Sequence, residues 1–256
     1  MKILLYGDPG STKTRTSGSA ALVEEMSPVL YLDASGNPES LWDYPNKPDV
    51  ISMEDLKDFN APYDWLLRGQ PIDHPFRQHF ELEHGGDDPY KTLIIDQLTD
   101  VQRLSFKKVL HADKILPGDV PQKREWEHYN KVLYQMANFA KMYYSLPMHV
   151  IMTCLEERKT DQTGAEIGIN LHLEGKSAEV IPSYALLVGR MVSPLTLGTL
   201  FLKQLEKDGY GTPKHSVMIL KPSKKFIAKN QYGNLPDYVC DPMMDLIHTN
   251  ICGETK

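Results

Sequence analysis

MKILLYGDPGSTKTRT, residues 1–16, decides how the rest of the chain is read. Ile3 to Tyr6 is a short apolar run that predicts a buried strand, and Gly7 ends it. Asp8, Pro9, Gly10, Ser11 and Thr12 then make a turn-rich loop that leads through Lys13 and Thr14 into a helical stretch beginning near Arg15. Strand, Gly-containing loop and helix form the context in which G-x-x-x-x-G-K-[ST] cradles phosphates. Backbone N–H groups of such a loop point inward at the anion, and the helix N-terminus adds its positive end. On this reading Gly7 to Arg15 line a nucleotide site for ATP or ADP. Lys13 reaches the β/γ-phosphates, and the Thr14 hydroxyl holds Mg²⁺. One position departs: Thr12 stands where the second Gly belongs. A Cβ there either crowds the phosphate or strains a turn that Gly adopts freely.

Thr92-Leu93-Ile94-Ile95-Asp96 predicts a second buried strand with a carboxylate at its C-terminal end. In open α/β sheets that end faces the ligand crevice. Asp96 there would hold the Mg²⁺ together with Thr14, the task of the second acidic motif in phosphate-loop NTPases. The competing role for Asp96 is to cap a helix starting near Leu98. Gln97 follows, where AAA+ NTPases usually carry a catalytic Glu. An amide cannot act as a general base.

Composition fits an enzyme-sized globular unit: 256 residues, 41% hydrophobic and 24% charged. The net charge of −6 argues against a protein that coats DNA nonspecifically, without excluding a local basic groove. No stretch is apolar for the span of a bilayer, so no membrane partner is expected. Cys154, Cys240 and Cys252 have neither pairing nor metal spacing, which predicts reduced thiols in a cytoplasm.

Along the chain the pattern predicts helices over 15–26 and 98–114, with a short one at 53–59. Strands are predicted at Val29 to Asp33, His149 to Thr153, Tyr184 to Val192, Thr199 to Leu205 and Ser216 to Leu220. Trp126, Tyr129, Leu133, Met136, Ala140 and Tyr143 recur at three- and four-residue steps, an amphipathic helix whose aromatic stripe should enter the core. Residues 156–176 are polar and read as a loop. Alternating strands and helices imply an α/β fold with a mostly parallel central sheet flanked by helices. The last strands suggest a C-terminal antiparallel extension. One domain over 1–256 is expected, with 45–90 as its least regular part.

The ordered segments GDPGSTKT, VLYLDASGNPESL, TLIIDQLTD, HVIMTCLEERKTDQTG, LEGKSAEVIPSYALLVGRM and FIAKNQYGNLP resemble the RecA-like ATPases encoded by tailed phages, proteins of single-strand annealing and recombination. The resemblance implies a RecA-like core and ATP held between neighbouring subunits of a ring or filament. Single-stranded DNA is the implied partner, and the host cytoplasm the setting. It makes Thr153 the polar sensor of the γ-phosphate and places a DNA-binding loop at Glu156 to Lys176, with Arg158, Lys159 and Lys176 as its cations. Five acids in that loop outnumber them. Lys229 resembles the Lys of a Lys-x-Arg pair that reaches a neighbour's nucleotide, but the Arg position is Gln231. Relatives orient the attacking water with a Glu two residues after the Asp of the second strand. Here that position is Ser35, and Glu39 lies four residues further on.

Departures at Thr12, Ser35 and Gln231 together lead to the expectation of an ATP-binding recombination protein with weak hydrolysis. Lys221, Lys224, Lys225 and Lys229 are its best electrostatic support. The other class is a catalytically degenerate NTPase-fold module acting through protein partners or self-assembly. A small-substrate kinase is more remote, because residues 156–176 offer only Arg158 for a cationic lid.

Overall fold

Val29–Asp33 (β2) and Thr92–Asp96 (β4) are buried at every residue, so both of their faces need cover. A fully buried parallel sheet with helices on each side supplies it. The computed structural model describes residues 1–36, 41, 44–110 and 125–253. Six strands run parallel: Lys2–Gly7 (β1), β2, Asp49–Ser52 (β3), β4, His149–Thr160 (β5) and Leu187–Val192 (β7). Val217–Ile219 (β8), Lys229–Asn230 (β9) and Tyr238–Cys240 (β10) add antiparallel pairings at the β7 side. The strand order is β10-β8-β7-β1-β5-β4-β2-β3.

Strand alternation divides the core into two layers. On one face Leu4, Tyr6, Leu93, Ile95, Val150 and Met152 pack with residues of Leu98–Val109 (α4) and Trp126–Tyr144 (α5). On the other, Ile3, Leu5, Tyr31, Ile94 and Ile151 meet the short helix Lys13–Gly18 (α1), the 3₁₀ turn Ser19–Leu22 and a C-terminal helix, Met244–Cys252. The second face matters most, because α1 brings the phosphate loop to the carboxyl ends of β1, β5, β4 and β2.

Several elements differ from the sequence reading. The first helix is six residues long and passes into a 3₁₀ turn, so the dipole behind the loop is that of a short helix. Residues 53–59 hold only the 3₁₀ turn Leu56–Phe59, which leads into the helix Asn60–Leu67 (α2). Trp65, Phe76, Leu82 and Tyr90 of the less regular segment join the same core as β1. Thr199–Lys207 is a helix, not a strand: Leu205 is buried while Leu200 is 85% exposed. Leu, Phe and Lys there suit either period, and a one-sided surface helix wins over a strand needing two covered faces. Residues 156–176 are not a loop. β5 runs on to Thr160 and pairs antiparallel with Glu166–Leu171 (β6), forming a hairpin. The α5 stripe buries Val132, Met136, Phe139, Ala140 and Tyr143, whereas Trp126, in the first turn, is 77% exposed. The 98–114 helix reaches Val109, and its predicted end lies outside the described residues.

The opposite end of the sheet carries a pH-sensitive group. Burial, helped by the N-terminal amino group, His248 and Lys2, lowers the His149 pKa from 6.5 to about 4. Between those values the unfolded chain binds the extra proton, so stability rises with pH and is lost as pH falls from 6.5 towards 4. After allowance for its partial exposure the effect is about 1 kcal/mol. Urea denaturation at pH 7 and pH 5 should show this loss in the wild type and a smaller one in His149→Gln.

Candidate nucleotide-binding site

β1 delivers Gly7 to its C-terminal end between Leu155 of β5 and Met191 of β7. A Cβ on Gly7 would fall 2.0 Å from the Met191 carbonyl oxygen, so the strand can leave the sheet here only as Gly. The loop then turns back on itself. The Ser11 N–H donates to the Asp8 carbonyl at 3.2 Å, and the Ser11 hydroxyl donates to the same oxygen at 2.7 Å. Gly10 takes φ +77°, and Thr12 takes φ 64°, ψ 18° immediately before α1. The left-handed region is an outlier for a β-branched residue. Of the two consequences weighed for Thr12, the structure shows backbone strain. Its hydroxyl is 2.7 Å from that of Ser216, turned towards the loop before β8.

That arrangement reverses the usual Ala–Gly ranking. Thr12→Ala keeps the left-handed strain and loses the Ser216 bond, and should cost about 1 kcal/mol. Thr12→Gly loses the bond as well but relieves about 1–2 kcal/mol of strain, and should stay near wild type. Denaturant midpoints of the two variants test the order.

Lys13 is buried, and its Nζ donates to the carbonyl oxygens of Gly7 at 3.0 Å and Asp8 at 2.8 Å. Burial lowers its pKa, opposed chiefly by the negative charge of Asp96. A cation that has lost its water and met mainly neutral carbonyls is matched by the arrival of a polyphosphate.

Asp96 is the hub of the site. It is 4% exposed and accepts the Thr14 hydroxyl at 2.8 Å on Oδ2. The Tyr31 hydroxyl donates to the same oxygen, and the Thr153 hydroxyl donates to Oδ1. Tyr31, Asp96 and Thr153 lie on three adjacent strands and on the face carrying α1. Burial and the Asp96 charge push the Tyr31 phenol far above its ordinary range, so it stays a donor. Asp96 does not cap α4. Gln97 occupies that N-cap position and makes no side-chain cap bond. One further oxygen, Asp33 Oδ2, is buried at the end of β2 without a hydrogen-bond partner among the described residues.

Thr14 and Asp96 form an all-oxygen pair, the donor chemistry that suits Mg²⁺. Bound there through Thr14 and Asp96, the ion would neutralise charge on the terminal phosphates. The fit is good.

Other expected residues lie elsewhere. Pro9, Gly10 and Arg15 are exposed on the rim, and the Arg15 carbonyl accepts the Tyr44 hydroxyl at 2.6 Å. Arg158 is bound to the phosphate loop, with its guanidinium 2.5 Å from Asp8 and 3.3 Å from Glu156. Lys159 is exposed on the hairpin, and Lys176 is exposed just before the helical turn Ser177–Val180. Lys229 pairs with Val188 near the amino end of β7, away from the phosphate loop. Its Nζ donates to the Ala185 carbonyl at 2.6 Å and to that of Ser183 at 3.3 Å. Ser35 holds Asp33, and Glu39 lies outside the described residues.

Three residues escaped the sequence reading. Tyr31 precedes Asp33 by two positions on one strand, so it shares its face, a signal available from alternation alone. Glu156 and Arg190 meet across β1, with Nε–Oε2 at 2.9 Å and Nη2–Oε1 at 3.1 Å. That pairing depends on strand order, which short motifs do not reveal.

A family model described as an AAA domain matches residues 1–232. The chain belongs to that family and is a nucleotide-binding AAA-type P-loop ATPase domain. Among solved structures, a prototypical ATPase from the type III secretion system of pathogenic bacteria is similar at 12% identity, with a TM-score of 0.42. The alignment covers 81% of this chain and 53% of that one, so the chain spans about half the length of that relative. No curated protein matches. Among the described residues no helix is long and apolar enough to cross a membrane.

Proposed function

We propose that the protein binds ATP with Mg²⁺ in the Gly7–Thr14 loop, hydrolyses it slowly, and uses the bound state to control assembly on single-stranded DNA in recombination or annealing. The observation that supports nucleotide binding best is the convergence of Thr14, Tyr31 and Thr153 on Asp96 beside the buried Lys13. Slow turnover follows from what flanks it. Gln97 carries no carboxylate, and Ser35 stands where relatives place a Glu. The DNA part rests on the resemblance and on the β5–β6 hairpin, whose base touches the phosphate loop through Arg158 and Asp8. Lys229 as a cation acting on a neighbour's nucleotide, within a ring or filament, belongs to the same reading.

One observation favours a second reading, a degenerate module working through protein partners. Arg158 is taken by Asp8 and Glu156, Lys221 sits 3.3 Å from Asp237, and Lys229 is bound to carbonyls. Much of the positive charge available to DNA is therefore committed. A salt titration of single-strand binding, with and without ATP, separates the two. Affinity that appears with ATP and falls steeply with salt supports the recombination reading. No binding at low salt supports the module.

A further inference from the structure

Asp33 ends β2 and is the register partner of Asp96 on β4. Its two oxygens have different surroundings. Oδ1 accepts the Ser35 N–H at 2.8 Å, the Ser35 hydroxyl at 2.7 Å and the Gly36 N–H at 3.1 Å. Oδ2 is buried and accepts nothing among the described residues, in a residue only 2% exposed. An unsatisfied buried carboxylate oxygen is costly, and native structures seldom keep one that meets no ligand. Parallel pairing sets Asp33 and Asp96 on neighbouring strands about 4.8 Å apart. Alternation puts Asp33 on the face of Tyr31, whose hydroxyl is bound to Asp96. The free oxygen therefore lies on the α1 face, beside the carboxylate that holds Thr14.

We propose that Asp33 orients and deprotonates the attacking water in ATP hydrolysis at this site, and that Ser35 is the positioning residue that clamps its Oδ1. The proposal rests on the nucleotide reading above and deepens it. Ser35 then has a use of its own: in place of a base it supplies two donors that turn the neighbouring carboxylate and leave Oδ2 open. In the step, the water oxygen forms a bond to the γ-phosphorus while its proton passes to Oδ2. The bond between the γ-phosphorus and the β–γ bridging oxygen breaks, and its electron pair leaves with ADP. The proton then passes from Oδ2 to the released phosphate or to solvent. A carboxylate on a side chain one methylene shorter than Glu, set two positions earlier, fits a slow enzyme.

The test measures binding of ADP and of ADP–aluminium fluoride, both with Mg²⁺, to the full chain by calorimetry. The fluoride complex mimics the transferring phosphoryl group together with its in-line water. Wild type should bind it at least about tenfold more tightly than ADP, and Asp33→Asn should lose about tenfold of that preference, the worth of one hydrogen bond to a charged group. Its ADP affinity should stay within about twofold, and its residual turnover should fall about 100-fold, as for loss of a general base. Ser35→Ala, which keeps the carboxylate and loosens its clamp, should lose roughly threefold of the preference through one neutral hydrogen bond. An unchanged preference in Asp33→Asn, or no preference in wild type, overturns the assignment while leaving nucleotide binding intact. Wild type that binds no ADP overturns the nucleotide reading as well.

Discussion

Lys13→Ala should bind Mg²⁺–ATP about 100-fold more weakly than wild type, from the loss of some 3 kcal/mol of charge-assisted hydrogen bonding. In the ligand-free protein this ammonium is buried and satisfied mainly by the carbonyls of Gly7 and Asp8. Burial has lowered its pKa, so the charged form is held at a cost that a triphosphate relieves. Removing the side chain thus removes most of the affinity and little of the stability. The folded state loses three neutral-acceptor bonds, to Gly7, Asp8 and Ser11, and a desolvated charge together, and the net change should lie within about 1 kcal/mol. Paired calorimetry and urea melts of the variant show whether binding and folding separate in this way. A variant that binds as wild type does would place the phosphates somewhere other than this loop.

The largest effect on folding is expected at Arg190. Its guanidinium makes a two-point pair with Glu156 beneath the phosphate loop and stacks 5.1 Å from the Phe226 ring centre. Among the described residues, Arg190→Ala leaves the Glu156 carboxylate, side chain 1% exposed, with only the longer ionic contact to Arg158. Breaking a buried pair from one side costs about 3–5 kcal/mol, because the remaining charge cannot regain water. Arg190→Met with Glu156→Gln removes both charges and should recover most of that loss. Thermal melts of the single and double variants decide it. If Arg190→Ala alone were harmless, the pair would contribute nothing to the hairpin's attachment.

The elements legible in the sequence were those with a single available period. The β1, β2 and β4 runs are too short and too apolar for surface helices, and the loop between β1 and α1 contains its own turn residues. Thr199–Lys207 misled because Leu200 and Phe201 look like strand residues until their exposure is known. The hairpin was hidden because Glu, Arg and Lys on β5 give no apolar alternation beyond Leu155. Its strands are held by backbone pairing, by the ion pairs of Arg158 and Arg190 with Glu156, and by burial of Ile169 and Leu171 on β6. Within the site, Lys13, Thr14 and Asp96 were readable because each sits at a fixed offset from a strand end. Tyr31 and the open oxygen of Asp33 depend on which strands are neighbours. That order, with β4 and β5 inserted between β1 and β2, exists only in three dimensions.

Titration of the folded wild-type chain with ATP, in the presence and absence of Mg²⁺, bears most directly on the whole account. One saturable site per chain is predicted, tightened by the metal and nearly abolished in Lys13→Ala. Absence of any heat of binding up to millimolar ATP, in protein shown to be folded, would contradict it.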